Sequence, residues 1–225
     1  MQKLAHKIIC VSEYQASFLQ QKKCVITVPN ALPQNFVNRL TPNFQAAFKR
    51  KHILMLGSLK LYKSPLEFIE LTKRLPQFIF VLVINDTKEN INIFIKEYKI
   101  NISKNLTIYP QQNDVVPFYN QTSLVLNLSN KKQFVETFGL TALEAMSAGL
   151  PVIVPTEGGI AEMVVDGENG YKIDVQNLNQ IAECIKTILS DETLYMELAQ
   201  NALAYSKRFS EAKMVNSIEM ILNRK

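Results

Sequence analysis

The sequence predicts an α/β chain, a largely parallel sheet with helices over both faces. Three observations predict it. Short β-branched runs recur along the chain, amphipathic segments separate them, and Gly, Pro and Asn cluster in the gaps between. With 225 residues, 47% of them hydrophobic, the chain is long enough to bury a sizeable core.

The expected strands are Lys7–Val11, Val25–Val28, Ile53–Gly57, Phe78–Ile84, Leu106–Tyr109, Leu124–Leu128, Val152–Val154 and Gly170–Ile173. Helices are expected between them. The clearest runs from Pro65 to about Leu75, where Phe68, Leu71 and Leu75 fall on one stripe. Ser64-Pro65-Leu66-Glu67 reads as its start: a serine N-cap, proline in the first turn and glutamate three residues after the cap. After Val175 the strand signals stop, and the remaining residues read as two or three successive helices.

Residues 29–51 break this pattern. Pro29, Pro33 and Pro42 stand among Asn30, Asn35, Asn38 and Asn43 without clean periodicity, which is linker chemistry. Residues 1–28 hold one strand–helix–strand unit, too little to fold alone. The expected division is therefore 1–28 as the tail of a preceding domain, 29–51 as linker, 52–205 as a complete α/β domain and 206–225 as a last helix.

Charge excludes some functions. The 25 basic and 20 acidic residues leave +5 and a pI of about 9.0. The basic residues come in short groups such as Lys22-Lys23, Lys49-Arg50-Lys51 and Lys131-Lys132, as on a solvated face. No basic run reaches five residues and no zinc-finger spacing occurs, so nucleic acid is not an expected partner. Cys10, Cys24 and Cys184 are isolated in apolar contexts, which reads as buried thiols in a reducing compartment. The longest strongly apolar stretch, Phe78 to Ile84, is far too short to cross a bilayer, and a cytoplasmic location is expected.

Two segments carry chemistry. Gly57-Ser58-Leu59-Lys60-Leu61-Tyr62-Lys63-Ser64 joins a strand end to a helix start, the edge at which open α/β sheets bind ligands. Helix N-termini attract anions there, so Lys63 reads either as a phosphate contact or as a simply exposed lysine. Glu136 and Glu144 sit eight positions apart around Phe138-Gly139-Leu140. If helical throughout, that spacing covers roughly 12 Å with both acids on one broad face. Glu144 has a second reading, because Thr141-Ala142-Leu143-Glu144 matches a capping box with Thr141 as N-cap. Glu136 likewise reads as an exposed loop acid.

Phe134-Val135-Glu136-Thr137-Phe138-Gly139-Leu140, Leu143-Glu144-Ala145-Met146, Gly149-Leu150-Pro151-Val152-Ile153 and Gly158-Gly159-Ile160-Ala161-Glu162 together closely resemble the donor-binding half of glycosyltransferase family 4. Ile9 to Glu13 resembles the last strand of that family's N-terminal domain, Val28 to Ala31 its interdomain linker, and Leu54 to Leu59 with Lys63 the opening strand and loop of its C-terminal domain. The resemblance spans essentially the whole chain. It implies a Rossmann-like sheet, the C-terminal half of a GT-B fold, and transfer of a hexose from a nucleoside diphosphate with retention. It also implies roles. Glu136 contacts the donor sugar, Glu144 the ribose hydroxyls, and the backbone from Thr137 through Phe138, Gly139 and Leu140 approaches sugar and phosphates. Lys63 neutralises the diphosphate, with Gly57 and Ser58 beside it. No Asp-x-Asp pair occurs, and neither a metal nor another cofactor is implied.

Three departures stand out. Ser58 occupies the position of the family's arginine, for which Lys60 is the candidate substitute, though a lysine is no bidentate fork. Ala31 replaces a linker glycine. A full acceptor-binding half has no counterpart, and His6 and His52 match no catalytic histidine. The acceptor, a glycan or a lipid-linked molecule at the inner membrane face, would then meet a separately supplied N-terminal domain. A non-catalytic donor-binding remnant or partner subunit is the alternative, while the paired glutamates argue against a sugar-nucleotide epimerase. Base selectivity is expected near Tyr109–Asn113.

Overall fold

The computed structural model describes residues 5–20 and 22–223. In chain order the elements are β1 (Ile8–Cys10), α1 (Glu13–Ser17), β2 (Val25–Thr27), α2 (Gln34–Val37), α3 (Phe44–Arg50), β3 (His52–Gly57), α4 (Pro65–Arg74), β4 (Ile79–Ile84), α5 (Lys88–Glu97) and β5 (Leu106–Tyr109). There follow α6 (Val116–Asn120), β6 (Leu124–Leu126), α7 (Leu140–Ser147), β7 (Val152–Val154), α8 (Gly159–Glu162), β8 (Gly170–Lys172), α9 (Leu178–Ser190), α10 (Glu192–Ser206) and α11 (Glu211–Asn223). Every expected strand is present.

Six strands form one parallel sheet in the order β5-β4-β3-β6-β7-β8. Its central strands are covered on both faces. Ile53, Leu54 and Met55 of β3, all of β6 and all of β7 are buried, which is why these strands read as unbroken apolar runs. The strand order reverses between β3 and β6, the feature that leaves a crevice outside the carboxyl ends of a doubly wound sheet. β1 and β2 pair in parallel as a separate two-stranded sheet.

Residues 29–51 are more ordered than their composition suggests. Asn43 caps α3 by accepting a hydrogen bond from the Ala46 amide, and Leu40 and Ala47 are buried. Phe44, Ala47 and Phe48 supply the helical stripe that the surrounding prolines and asparagines hide. This segment clasps the C-terminal helices. Phe48 packs on Tyr195, with ring centroids 5.3 Å apart, and Tyr195 donates to the Ser123 carbonyl at 2.8 Å.

Candidate functional site

A cavity of about 500 Å³ fills the crevice between β3 and β6. Its wall takes Gly57 and Ser58 from the end of β3, Asn127 to Ser129 from the end of β6, and Glu136 to Thr141 from the loop and first turn of α7. Lys63, Asn85 and Asn30 are also part of it.

Lys63 arrives through a single 3-10 turn, Leu61–Lys63, that ends at Ser64 in the left-handed region (φ 57, ψ 46). The expected serine cap of α4 is not made there. A capping side chain needs an extended backbone, and the left-handed turn carries the hydroxyl elsewhere. Ser64 is fully buried, and among the described residues its Oγ has no hydrogen-bond partner.

The Lys63 ammonium donates to Glu136 Oε1, which also accepts from Ser129 Oγ at 2.9 Å. Both side chains are largely buried, with 23% of Lys63 and 15% of Glu136 exposed. The Glu136 backbone is pinned by Gly159, whose amide donates to the Glu136 carbonyl at 2.8 Å. Gly159 has no room for more: a Cβ there would lie 1.9 Å from the Thr137 carbonyl oxygen and 2.7 Å from Ser12 Oγ.

Gly139, at φ 92, starts α7, and Leu140 and Thr141 follow. The expected capping box at Thr141 is therefore two residues out of register. Thr141 instead accepts a hydrogen bond from Asn127 Nδ2 at 3.3 Å. No side chain caps α7, and among the described residues the amides of Leu140 and Thr141 have no acceptor. They are left facing the cleft with the positive end of the helix dipole.

Glu144 lies one turn further along, on the helix face that Leu140 and Thr141 share. It is not part of the cavity wall itself. Tyr119 donates its hydroxyl to Glu144 Oε2. Burial raises the Glu144 carboxyl above its ordinary range, and the tyrosine bond only partly offsets that. Burial, then the Glu144 charge, pushes the Tyr119 phenol well up. Because Glu136 to Gly139 is loop, the continuous helix that would set the two acids one above the other is absent.

Of the residues singled out from the sequence, Gly57, Ser58, Lys63, Glu136, Thr137, Phe138, Gly139 and Leu140 converge on the cavity. Lys60 does not; it is exposed on the flank, where its charge reaches Asp86, a carboxyl held low chiefly by Asn90. Residues 109–113 also lie off the wall. Asn30, Asn85, Asn127, Ser129 and Thr141 line it unannounced, since lone polar residues at strand ends give no periodic signal.

The strand–helix–strand unit at the front is bolted to the same edge. The amides of Glu13 and Tyr14, at the start of α1, donate to the Glu162 carboxylate, and the Tyr14 hydroxyl donates to Glu157 at 2.9 Å. Among the described residues no helix is long and apolar enough to cross a membrane.

Comparison with known proteins gives a consistent picture. The family described as Glycosyl transferases group 1 matches residues 39–205. N-acetyl-alpha-D-glucosaminyl L-malate synthase of Bacillus anthracis is 30% identical over 142 residues, 63% of this chain and 36% of that protein. An uncharacterized glycosyltransferase of Haemophilus influenzae is 24% identical over 226 residues, covering 96% of this chain and 61% of its own length. The crystal structure of Anabaena HepE in complex with UDP-glucose matches the fold with a TM-score of 0.82 at 20% identity, over 98% of this chain and 64% of that one. The chain thus spans less than two-thirds of each of these relatives.

Proposed function

Because the chain belongs to the glycosyl transferases group 1 family, we propose that it forms the donor-binding part of a retaining, family 4 glycosyltransferase. It takes a sugar from a nucleoside diphosphate and passes it to a glycan or lipid-linked acceptor. The observation that carries this reading is the convergence of Lys63, Glu136 and the uncapped first turn of α7 on one cavity at the sheet's switch point. HepE was captured with UDP-glucose, which supports a nucleotide sugar as donor.

In this mechanism the acceptor hydroxyl attacks the anomeric carbon on the face from which the diphosphate departs. The bond from that carbon to the phosphate oxygen breaks, and the departing oxygen takes the acceptor's proton. Lys63 and the amides of Leu140 and Thr141 meet the growing negative charge without reorganising. Glu136 exchanges Lys63 for hydroxyls of the donor sugar, and Glu144 takes the ribose. No step is assigned to a metal ion or another cofactor. The acceptor is held by a further folded unit facing the cleft, which residues 8–27 help to dock, at the cytoplasmic side of the cell.

A second reading, a donor-binding module that does not itself transfer, draws on one observation. Among the described residues of the wall Lys63 is the one cation, because Ser58 is uncharged and Lys60 is not part of it. A panel of nucleoside diphosphates in a thermal-shift assay tests what the readings share. At least one is expected to raise the melting temperature, and a panel in which none does at millimolar concentration would overturn both. Release of diphosphate from the bound sugar donor, with acceptor and the docking unit supplied, separates transfer from binding alone.

A further inference from the structure

Besides Glu136 and Ser129, whose Oγ lies 3.5 Å away, the Lys63 ammonium has an aromatic hold. Tyr62 and Phe134 stack with ring centroids 4.8 Å apart and planes 23° from parallel. The Lys63 Nζ stands 4.4 Å from the Phe134 centroid and 5.9 Å from that of Tyr62, both within cation–π range. Neither ring lines the cavity.

We infer that the Tyr62–Phe134 stack is a positioning device for Lys63, holding the ammonium where a diphosphate needs it. This rests on the donor reading above. A lysine on four rotatable bonds loses substantial conformational freedom when it grips an anion, and an aromatic face that already orders it lowers that cost. Of the ammonium's neighbours, Glu136 is the one an incoming phosphate displaces; the aromatic contact is independent of that exchange. The geometry is also built. The Asn130 amide donates to the Tyr62 carbonyl at 2.7 Å, and the Phe134 amide donates to the Asn130 carbonyl at 2.9 Å, which folds residue 134 back over Tyr62. Phe134 itself is 37% exposed.

The test is a double-mutant cycle on diphosphate affinity, measured by calorimetry with whichever of UDP, GDP and ADP binds the unmodified chain most tightly. Phe134→Leu keeps apolar bulk but loses the π face. It is expected to weaken binding about two- to fivefold, the factor an ordinary cation–π contact carries, while Phe134→Trp holds affinity near the original. In a Lys63→Met background, Phe134→Leu is expected to add nothing, because the ring acts through the lysine. Equal losses with and without Lys63, or full affinity in Phe134→Leu, would overturn the inference while leaving the donor reading intact. Failure of the unmodified chain to bind any of the three would overturn the donor reading, and this inference with it.

Discussion

Lys63 and Glu136, 73 residues apart in the chain, share one charge-assisted contact that Ser129 completes on the same carboxylate oxygen. On the proposed donor reading, a diphosphate has to compete with Glu136 for the ammonium. Glu136→Gln removes the competitor, so nucleoside diphosphate affinity is expected to hold or rise, while transfer in the assembled enzyme falls. Lys63→Met is expected to weaken the diphosphate about ten- to hundredfold, the range for a hydrogen bond to a charged group. Calorimetry on the two variants checks both signs; matched losses would assign the pair to stability alone.

Tyr119 and Glu144 set a pH dependence. Burial raises the Glu144 carboxyl, so just above the ordinary 4.5 the folded chain keeps a proton that the unfolded chain has lost. Stability therefore falls as pH rises through that window. Glu144→Gln is expected to flatten the slope in melting curves across the mildly acidic range. Tyr119→Phe removes the one bond that lowers this carboxyl, costing about 1–3 kcal/mol at neutral pH and extending the slope upward. If Glu144→Gln also leaves nucleotide affinity unchanged, the ribose role is lost.

Ser64 pays twice for its place, with a left-handed backbone and a buried hydroxyl that finds no partner among the described residues. Ser64→Gly relieves both and is expected to stabilise the chain by about 1–2 kcal/mol in urea denaturation. Ser64→Ala relieves only the second. A destabilised glycine variant would mean that the hydroxyl has a partner after all.

Asp174 ties down the loop that carries Phe134 and Glu136. It accepts from Lys131 Nζ at 2.8 Å and from the Thr156 amide at 2.9 Å. Burial pushes its carboxyl up, but those bonds outweigh it and hold it below the usual 3.8, so this contribution is lost as pH falls further. Asp174→Ala is expected to free the loop and speed tryptic cleavage after Lys131 or Lys132 severalfold. An unchanged digestion rate would show that Gln176, which donates to Asn130 at 2.7 Å, suffices.

The strands were legible because parallel strands covered on both faces, such as Leu124–Leu126 and Val152–Val154, must be apolar at every position. The wall residues flanking Phe138 and Gly139 were legible through family resemblance more than through spacing. What stayed hidden depends on long-range partners. Nothing near Glu144 announces Tyr119, which lies on a helix 25 positions upstream. Ser64 and Thr141 misled for a related reason: each fits a local capping rule, and tertiary packing gave each backbone a different conformation. α3 was masked by the prolines around it.

The tight crossing at Gly159 has a mechanical consequence. One backbone point touches Ser12 at the front of the chain and the Thr137 carbonyl beside Glu136, with no slack between. Glu162, three residues on, grips the start of α1. The leading unit and the loop that carries Glu136 are thus packed against each other at this one crossing. A methyl group at position 159 would wedge the two segments apart.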